Sequence, residues 1–198
     1  GYEAGIDNII TPHLFRAPTD NDKGFGNWIA KEWTKSGLDT AKAVKSNISR
    51  TAINNGGEKV CWTSTTQLKE GKVVVDYTAI IDKKGVCDLT ATFTLDGSLP
   101  PLPNLGITIA VPAVKGKGAA PSVRWFGLGP MDTYPDRTAA AMMGEWTLPL
   151  SEMYTHYARP QDSGNHGGTY WINITQKGKN IASVVATDAP FTFSALPY

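Results

Sequence analysis

Side chains suited to chemistry stand close together just after a turn-rich segment at residues 125–130. A tyrosine, a carboxylate and a guanidinium follow in order as Tyr134, Asp136 and Arg137. A planar guanidinium forms bidentate pairs with carboxylates, and an aromatic ring stacks on the apolar face of a sugar. The alternative interpretation is a loop that Asp136 and Arg137 pin by pairing with each other. The residue types leave both interpretations open.

The segment that positions these side chains has the pattern of a strand that breaks into a turn. Trp125 and Leu128 supply apolar mass for the strand. Gly127 and Gly129 permit backbone angles that other residues avoid, and Pro130 fixes its own. The turn therefore presents the polar residues that follow it.

Period-two alternation predicts half-buried antiparallel strands over residues 72–82 and 88–95. The inward positions of both are apolar: Val73, Val75, Tyr77, Ala79, Ile81, Leu89, Ala91, Phe93 and Leu95. Other strands are predicted from residue 43 onward and at 105–111, 170–175, 181–187 and 190–195. Residues 1–14 carry little pattern, and residues 138–168 are predicted to be mostly irregular. The direct prediction is a large all-β protein, an antiparallel β-sandwich.

One short helix is predicted, over residues 28–36. Asn27 is placed to cap it and Gly37 to end it. Its buried side is predicted to carry three apolar side chains: Trp28, Ile29 and Trp33.

Composition excludes several classes of protein. The 198 residues carry a net charge of +1, so nothing favours nucleic acid or an anionic membrane. No apolar run approaches the roughly 18 residues of a membrane span. The 20 glycines and 13 prolines fit many turns between short strands. Neither these numbers nor the N-terminus fixes a compartment, cytoplasmic or periplasmic.

Cysteine and histidine spacing predicts no metal or redox site. Cys61 and Cys87 match no such motif, and we favour two free thiols over a disulfide, with Cys87 inward. The histidines, His13, His156 and His166, lack metal-ligand spacing too.

Three motifs in this sequence resemble one family. The segments are residues 15–24 (FRAPTDNDKG), residues 125–137 (WFGLGPMDTYPDR) and the pair 148–154 and 160–166 (LPLSEMY, PQDSGNH). They are similar, in the same order, to signatures of the C-terminal, small-chain domain of β-galactosidases of glycoside hydrolase family 2. The match covers most of the chain.

The resemblance implies a narrower fold and a partial role. The expected form is the galactose-mutarotase-like supersandwich, with residues 1–198 as a single domain truncated at its C-terminus. Family members are retaining enzymes whose catalytic glutamates lie on a separate (β/α)8 barrel. We therefore expect no catalytic residue here, and a chain inactive alone. Mg and Na would be held by other domains of the parent enzyme.

The implied partners follow from the same comparison. They are the rest of the β-galactosidase chain or a large subunit, a β-galactoside substrate, and further copies in a homo-oligomeric parent. The late tryptophan that the family domain adds to the substrate pocket lies beyond the segment that this sequence matches.

The first motif supplies candidates for the rim of the sugar pocket: Asp20, Asn21, Asp22, Gly24 and Phe25. For the close carboxylate pair Asp20 and Asp22, turn capping and a salt bridge to Arg16 are expected rather than catalysis. The loop over residues 24–27 is predicted to be mobile and to face the pocket, the alternative being a plain lead-in to the helix.

The other motif positions are expected to be structural: Arg16, Trp125, Asp132, Tyr134, Asp136, Arg137, Gln161, Asp162 and His166. Arg137 is predicted to be buried against Asp136 or against a carboxylate of the 20–22 turn. Its loss would then cost about 3 kcal/mol.

The sequence departs from the family pattern at several motif positions, which puts its substrate preference in doubt. Met131-Asp132-Thr133 stands for Gln-Glu-Asn, Asp162-Ser163 for Glu-Asn, and His166 for Arg. A second hypothesis is a stand-alone mutarotase-like aldose epimerase or a carbohydrate-binding module on the same fold. An epimerase would use a His and a Glu as acid and base on the concave face.

Overall fold

The computed structural model describes residues 5–24, 26, 28–111 and 120–196. The chain divides into two compact units, Gly1–Ala110 and Val111–Tyr198. All described strand pairs are antiparallel, which confirms the all-β prediction. The supersandwich type and the single domain over 1–198 stay predictions.

The first unit contains two helices and six strands in its described part. They are α1 (Ile6–Ile9), β1 (Ile10–His13), α2 (Ile29–Ser36), β2 (Ala43–Ile53), β3 (Gly57–Gln67), β4 (Gly71–Ile81), β5 (Cys87–Gly97) and β6 (Gly106–Ile109). Strands β2-β3-β4-β5 form one sheet in that order, and β1 pairs with β6. Residues 5–14 thus hold more structure than their pattern indicated, because they form α1 and β1, and Ile10 pairs with Ile109.

The core of this unit lies on one face of the four-stranded sheet. The predicted inward row of β4 is buried, with Val73, Val75, Tyr77 and Ala79 at most 1% exposed. The row of β5 packs against the same core, Cys87 included, as predicted. Both cysteines are free thiols, which confirms that preference. Leu95 was predicted inward as well but is 53% exposed.

Helix α2 covers this face and ends as predicted. Gly37 adopts φ 81°, and its N–H donates to the carbonyls of the last turn. Trp33 is buried, while Trp28 is 53% exposed, so the prediction of a buried Trp28 is wrong. Trp28 is the N-cap residue outside the regular turns, so helical periodicity does not fix its direction. The predicted cap Asn27 lies outside the described residues.

The second unit contains six strands in its described part. They are β7 (Ser122–Gly129), β8 (Met142–Pro149), β9 (Asn165–Thr169), β10 (Trp171–Gln176), β11 (Lys179–Val185) and β12 (Phe191–Ser194). One sheet has the order β11-β10-β7-β8, and β12 pairs with β9. The inner side chains Val123, Trp125 and Ile172 of the larger sheet pack against Phe193 of β12.

The prediction of an irregular stretch over residues 138–168 is wrong in two places. Strand β8 pairs with β7 along all eight of its residues, and β9 pairs with β12. Glycines interrupt the apolar alternation of these strands, at positions 144, 167 and 168, so the sequence shows no period-two pattern there. The final hairpin and the last strand are confirmed. No helix among the described residues is long and apolar enough to cross a membrane.

A buried ionic cluster ties α1 to β2 in the first unit. Asp7 is 5% exposed, and its carboxylate accepts a hydrogen bond of 2.7 Å from Lys45 Nζ and another from Arg50. Lys45 and Arg50 lie five positions apart, which would place them on opposite faces of a regular strand. A bulge between Ser46 and Ser49 adds one residue to β2, so both cations reach the inner face.

Replacement of Asp7 by Asn is expected to destabilise the chain by about 2 kcal/mol at pH 7, the range for hydrogen bonds to charged groups. Burial alone would raise the pKa of Asp7, but Lys45 and Arg50 outweigh it and hold the pKa below its ordinary 3.8. The stabilisation is thus present above about pH 4 and is lost as pH falls through the lowered pKa. Urea midpoints at pH 7 and pH 3 measure both effects.

The control for this experiment is Glu58→Gln. Glu58 also pairs with Arg50, at 3.3 Å, but both side chains are about 40% exposed. Its loss is expected to cost less than about 1 kcal/mol. Equal losses from the two variants at pH 7, or an Asp7 effect that persists unchanged at pH 3, would contradict the assignment.

Candidate functional site

The first motif folds into a tight turn closed by an ion pair. Arg16 Nη1 lies 2.5 Å from Asp22 Oδ2, and Nη2 lies 3.4 Å from Oδ1. The backbone N–H and the hydroxyl of Thr19 donate to the same Oδ2 at 2.7 and 2.8 Å. The predicted salt bridge to Arg16 and the predicted hydrogen bonds within the turn are confirmed for Asp22. The Asp22 carboxylate anchors this turn.

Electrostatics agrees with that structural role. Burial would raise the pKa of Asp22, but Arg16 and the two Thr19 donors outweigh it and lower the pKa. A carboxylate in this state stays ionised at neutral pH and is poorly suited to donate a proton. The anchored turn holds a single turn of 3-10 helix at Asn21–Lys23, which presents Asn21 to solvent.

The end of the turn is open to solvent. Gly24 adopts φ −150°, an extended conformation that any residue reaches, and a Cβ there would lie 3.7 Å from the Asp20 carbonyl. Gly26 has φ 80° and nothing within 4 Å of a Cβ. The rim candidate Phe25 lies outside the described residues, and the proposed mobility of the 24–27 loop stays a prediction.

The buried Trp33 of α2 contacts two residues of the first motif. The Phe15 and Trp33 rings are T-shaped at a centroid distance of 6.0 Å, and the Arg16 guanidinium lies 5.5 Å from the Trp33 ring. Trp28 is exposed, with Lys31 Nζ 4.4 Å from its ring centroid. Sequence reasoning missed Trp28 as a surface residue because it counted Trp28 into the apolar face of the helix.

The second candidate site lies in the second unit around the buried carboxylate of Asp132. Tyr157 donates its hydroxyl to both carboxylate oxygens, at 3.2 and 3.0 Å. The backbone N–H of Gly164 lies 3.4 Å from Oδ2, and Arg137 Nη1 lies 3.4 Å from Oδ1. Asp132 therefore joins the turn after β7 to the segment between β8 and β9.

Arg137 differs from its prediction in burial and in partner. Its side chain is 50% exposed, and the carboxylate that it meets is Asp132. It also donates to the Tyr157 hydroxyl, and its guanidinium lies 5.5 Å from the Tyr157 ring. The prediction of a buried Arg137 held by Asp136 or by the 20–22 turn is wrong. Asp136 is exposed in a turn closed by Tyr134 and Arg137.

Three hydrogen bonds next to this carboxylate join Thr133 to the start of β9. The Thr133 N–H donates to the Asn165 carbonyl at 2.6 Å, and Asn165 Nδ2 donates to the Thr133 carbonyl at 2.6 Å. The Gly167 N–H donates to Thr133 Oγ1 at 2.8 Å. Thr133 and Tyr157 are the residues that sequence reasoning missed here. Both residues make contacts with partners 25 or more positions away in the sequence, so no local pattern indicated these contacts.

Within the described part of the chain, two buried polar atoms near these bonds have no hydrogen-bond partner: Ser163 Oγ and His166 Nδ1. Burial raises the pKa of Tyr134 above its usual 10, and Asp162 and Asp132 add to that rise. Burial lowers the pKa of His166, against opposing effects of Asp132 and the Leu128 backbone, so the imidazole is neutral at pH 7.

His166 is enclosed by aromatic rings. Its ring centroid lies 4.5 Å from that of Trp125 and 5.2 Å from that of Phe193, and only 1% of the residue is exposed. Trp125 is fully buried and donates its Nε1–H to the Leu128 carbonyl at 3.1 Å. A sugar cannot reach this imidazole, so the structure gives His166 no role as the acid or base of an epimerase.

The remaining motif residues Gln161 and Asp162 are exposed in the segment before β9. Among the described residues, no group of three His, Cys, Asp or Glu side chains is placed to hold a metal ion. The prediction that metals of a parent enzyme lie in other domains is not tested by that finding.

The fold and these two anchored turns define an all-β protein whose motif carboxylates hold irregular segments in place. This chain belongs to the β-galactosidase small-chain family, whose model matches residues 2–198. It is 31% identical over 183 residues to a β-galactosidase of Photobacterium profundum, covering 82% of this chain and 16% of that protein. It is 33% identical over 192 residues to the β-galactosidase BgaC of Bifidobacterium adolescentis, covering 93% and 17%.

A β-galactosidase of Vibrio vulnificus is 29% identical over 197 residues, with 94% of this chain and 18% of that protein covered. The chain thus spans about a sixth of the length of these curated relatives. The family membership that the three motifs indicated is confirmed.

The geometry around Asp132 makes a quantitative prediction. Asp132→Ala is expected to cost about 2–3 kcal/mol, because it removes charge-assisted hydrogen bonds from a buried position. Arg137→Ala is expected to cost less than about 1 kcal/mol, because a half-exposed partner is screened by water and Tyr157 still donates to Asp132. Urea unfolding of both variants, with m-values compared, tests the ranking. If Arg137→Ala lowers the free energy of unfolding more than Asp132→Ala does, the result would contradict this ranking and favour the buried arginine predicted from the sequence.

Proposed function

We propose that this chain is a non-catalytic part of a retaining β-galactosidase and contributes to the rim of its sugar pocket. Family membership and the share of the relatives that the chain spans support the first half. The observation that carries the second is the turn anchored by the Arg16–Asp22 ion pair, which presents Asn21 to solvent. Trp28, which is exposed at the start of α2, follows this turn in the sequence. The β-galactoside, the barrel with its metals and a homo-oligomeric parent are further parts of this proposal.

The rim role fits the chemistry of the exposed groups. An amide side chain hydrogen-bonds sugar hydroxyls in either direction, because it both donates and accepts. An exposed indole offers a broad apolar face with a polar edge. The Asp22 carboxylate is engaged by Arg16 and Thr19, so it stabilises the turn that carries Asn21.

The first test measures activity of the 198-residue chain. The purified chain is expected to give no turnover of a chromogenic β-galactoside above a buffer blank, because the glutamate pair of the family is expected on the barrel. A complete β-galactosidase at the same concentration is the positive control. Turnover that co-elutes with the chain through two chromatographic steps would refute the non-catalytic assignment.

The second test concerns the rim and uses the complete enzyme that carries this chain. Trp28→Ala is expected to lower kcat/KM about three- to tenfold, the size of one aromatic stacking contact. Gly24→Ala is expected to change both kcat and KM with little loss of stability. The reason is that its Cβ makes only an ordinary contact, at 3.7 Å, while it restricts backbone rotation.

Tyr154→Ala is the matched control, an aromatic residue of the second unit that is 44% exposed and outside the first motif. It is expected to leave kcat/KM unchanged. Wild-type kinetics for both Trp28→Ala and Gly24→Ala would refute the rim role while leaving the family membership in place. A change that melting curves explain wholly by unfolding would do the same.

A further inference from the structure

Trp33 of α2 is held in place by bonds to distant parts of the first unit. Its side chain is 1% exposed, and its Nε1–H donates to the Pro101 carbonyl at 2.8 Å. Pro101 lies in the connection between β5 and β6. The Ser36 hydroxyl donates to the Trp33 carbonyl, and the Lys69 N–H donates to the Ser36 carbonyl. The position of the indole is therefore set by the core of the unit and not by the first motif alone.

Arg16 contacts this indole and the Asp22 carboxylate with the same guanidinium. Its Cζ lies 5.5 Å from the Trp33 ring centroid, and its Nη atoms lie 2.5 and 3.4 Å from the two carboxylate oxygens. The Arg16 and Asp22 side chains are 24% and 12% exposed, so water screens their ion pair less than it screens a surface pair. Arginine suits both contacts, because its planar fork matches a carboxylate while its face packs on an aromatic ring.

The Asp22 carboxylate connects Arg16 to the exposed Asn21. Asn21 and Asp22 belong to the same single turn of 3-10 helix, in which Asp22 is buried and Asn21 is exposed. The N–H and the hydroxyl of Thr19 also donate to Asp22. These Thr19 bonds close the turn on itself, whereas the Arg16 contacts link the turn to Trp33 of α2. The placement of the Asn21 amide relative to α2 thus depends on Arg16.

We propose that Arg16 is a positioning residue of the sugar-pocket rim, which fixes the Asn21 amide relative to α2 by bridging Trp33 and Asp22. This inference rests on the proposed rim function. Arg16 acts through Asn21, since its own guanidinium is engaged with the carboxylate and the indole. An amide that is already held in place loses less conformational freedom when it binds a sugar hydroxyl, so it contributes more to affinity.

The first experiment measures kinetics of Arg16→Lys in the complete enzyme that carries this chain. A rim contact binds the ground state and the transition state alike, so its weakening raises KM and leaves kcat nearly unchanged. Lysine keeps the charge of Arg16 but lacks the planar fork and face. KM for a chromogenic β-galactoside is expected to rise about three- to tenfold, the size of one hydrogen bond. The inhibition constant of a non-hydrolysable β-thiogalactoside is expected to rise by the same factor.

A double-mutant cycle tests whether Arg16 acts through Asn21. Asn21→Ala removes the amide and is expected to raise KM at least as much as Arg16→Lys does. In the Asn21→Ala background, Arg16→Lys is expected to change KM by less than about twofold, because no amide is left to position. A role of Arg16 in stability alone would give the same factor in both backgrounds.

Arg124→Lys is the matched control. Arg124 of the second unit donates from Nε to Glu145 at 2.8 Å, and its guanidinium lies 5.8 Å from the Trp171 ring, so it combines the same two kinds of contact. It lies outside the first motif, and its replacement is expected to leave KM and the inhibition constant unchanged. Arg16→Ala is expected to raise KM more than Arg16→Lys. Melting curves identify any variant that fails to fold, and the conservative Arg16→Lys decides the matter if Arg16→Ala does not fold.

The outcomes separate this inference from the rim function. Wild-type kinetics for Arg16→Lys together with a raised KM for Asn21→Ala would refute the positioning role and leave the rim function in place. Wild-type kinetics for Asn21→Ala would refute the rim role of this turn and the inference with it. A KM increase that is equal in both backgrounds, or that Arg124→Lys reproduces, also overturns the positioning role.

Discussion

A buried carboxylate costs several kcal/mol unless donors satisfy it, and this constraint organises the irregular parts of the chain. In the first unit Asp7 binds α1 to β2 through Lys45 and Arg50, and Asp22 closes its turn through Arg16. In the second unit Asp132 plays the same part with Tyr157. Paired strands satisfy their own backbone hydrogen bonds, whereas irregular segments do not. Charged hydrogen bonds therefore stabilise the irregular segments around Asp22 and Asp132.

This constraint explains what two carboxylates of the family motifs do in the structure. Their acidic residues look like candidates for acid–base chemistry because they are close in sequence to tyrosine and arginine. Asp22 and Asp132 are instead engaged by donors that hold a segment of chain in a fixed conformation. The exposed neighbour of such an anchor, Asn21 in the first unit, is then presented in a defined geometry. In the proposed rim role, this motif would serve function by positioning.

Sequence patterns predicted the parts of the fold that local periodicity controls. The alternation in β4 and β5, the glycine end of α2 and the last hairpin are properties of neighbouring residues, and the structure bears them out. Strands β8 and β9 were not predicted, because their pairing depends on partners far away in the chain and their glycines interrupt the period-two pattern. For the same reason the Arg16–Asp22 pair within one turn was predicted. The Asp132–Tyr157 pair, 25 residues apart, was not.

Two buried motif residues of the second unit, Asp132 and His166, are accommodated in different ways. They stand at positions where the family pattern that this sequence resembles has Glu and Arg. The imidazole is neutral and enclosed by Trp125 and Phe193, so it supplies no positive charge to the carboxylate. The Asp132 carboxylate accepts a hydrogen bond from the Tyr157 hydroxyl and pairs with Arg137 at the surface. Burying a neutral ring costs far less than burying a charged group, so the core around Trp125 can enclose His166, while the guanidinium of Arg137 stays half exposed to water.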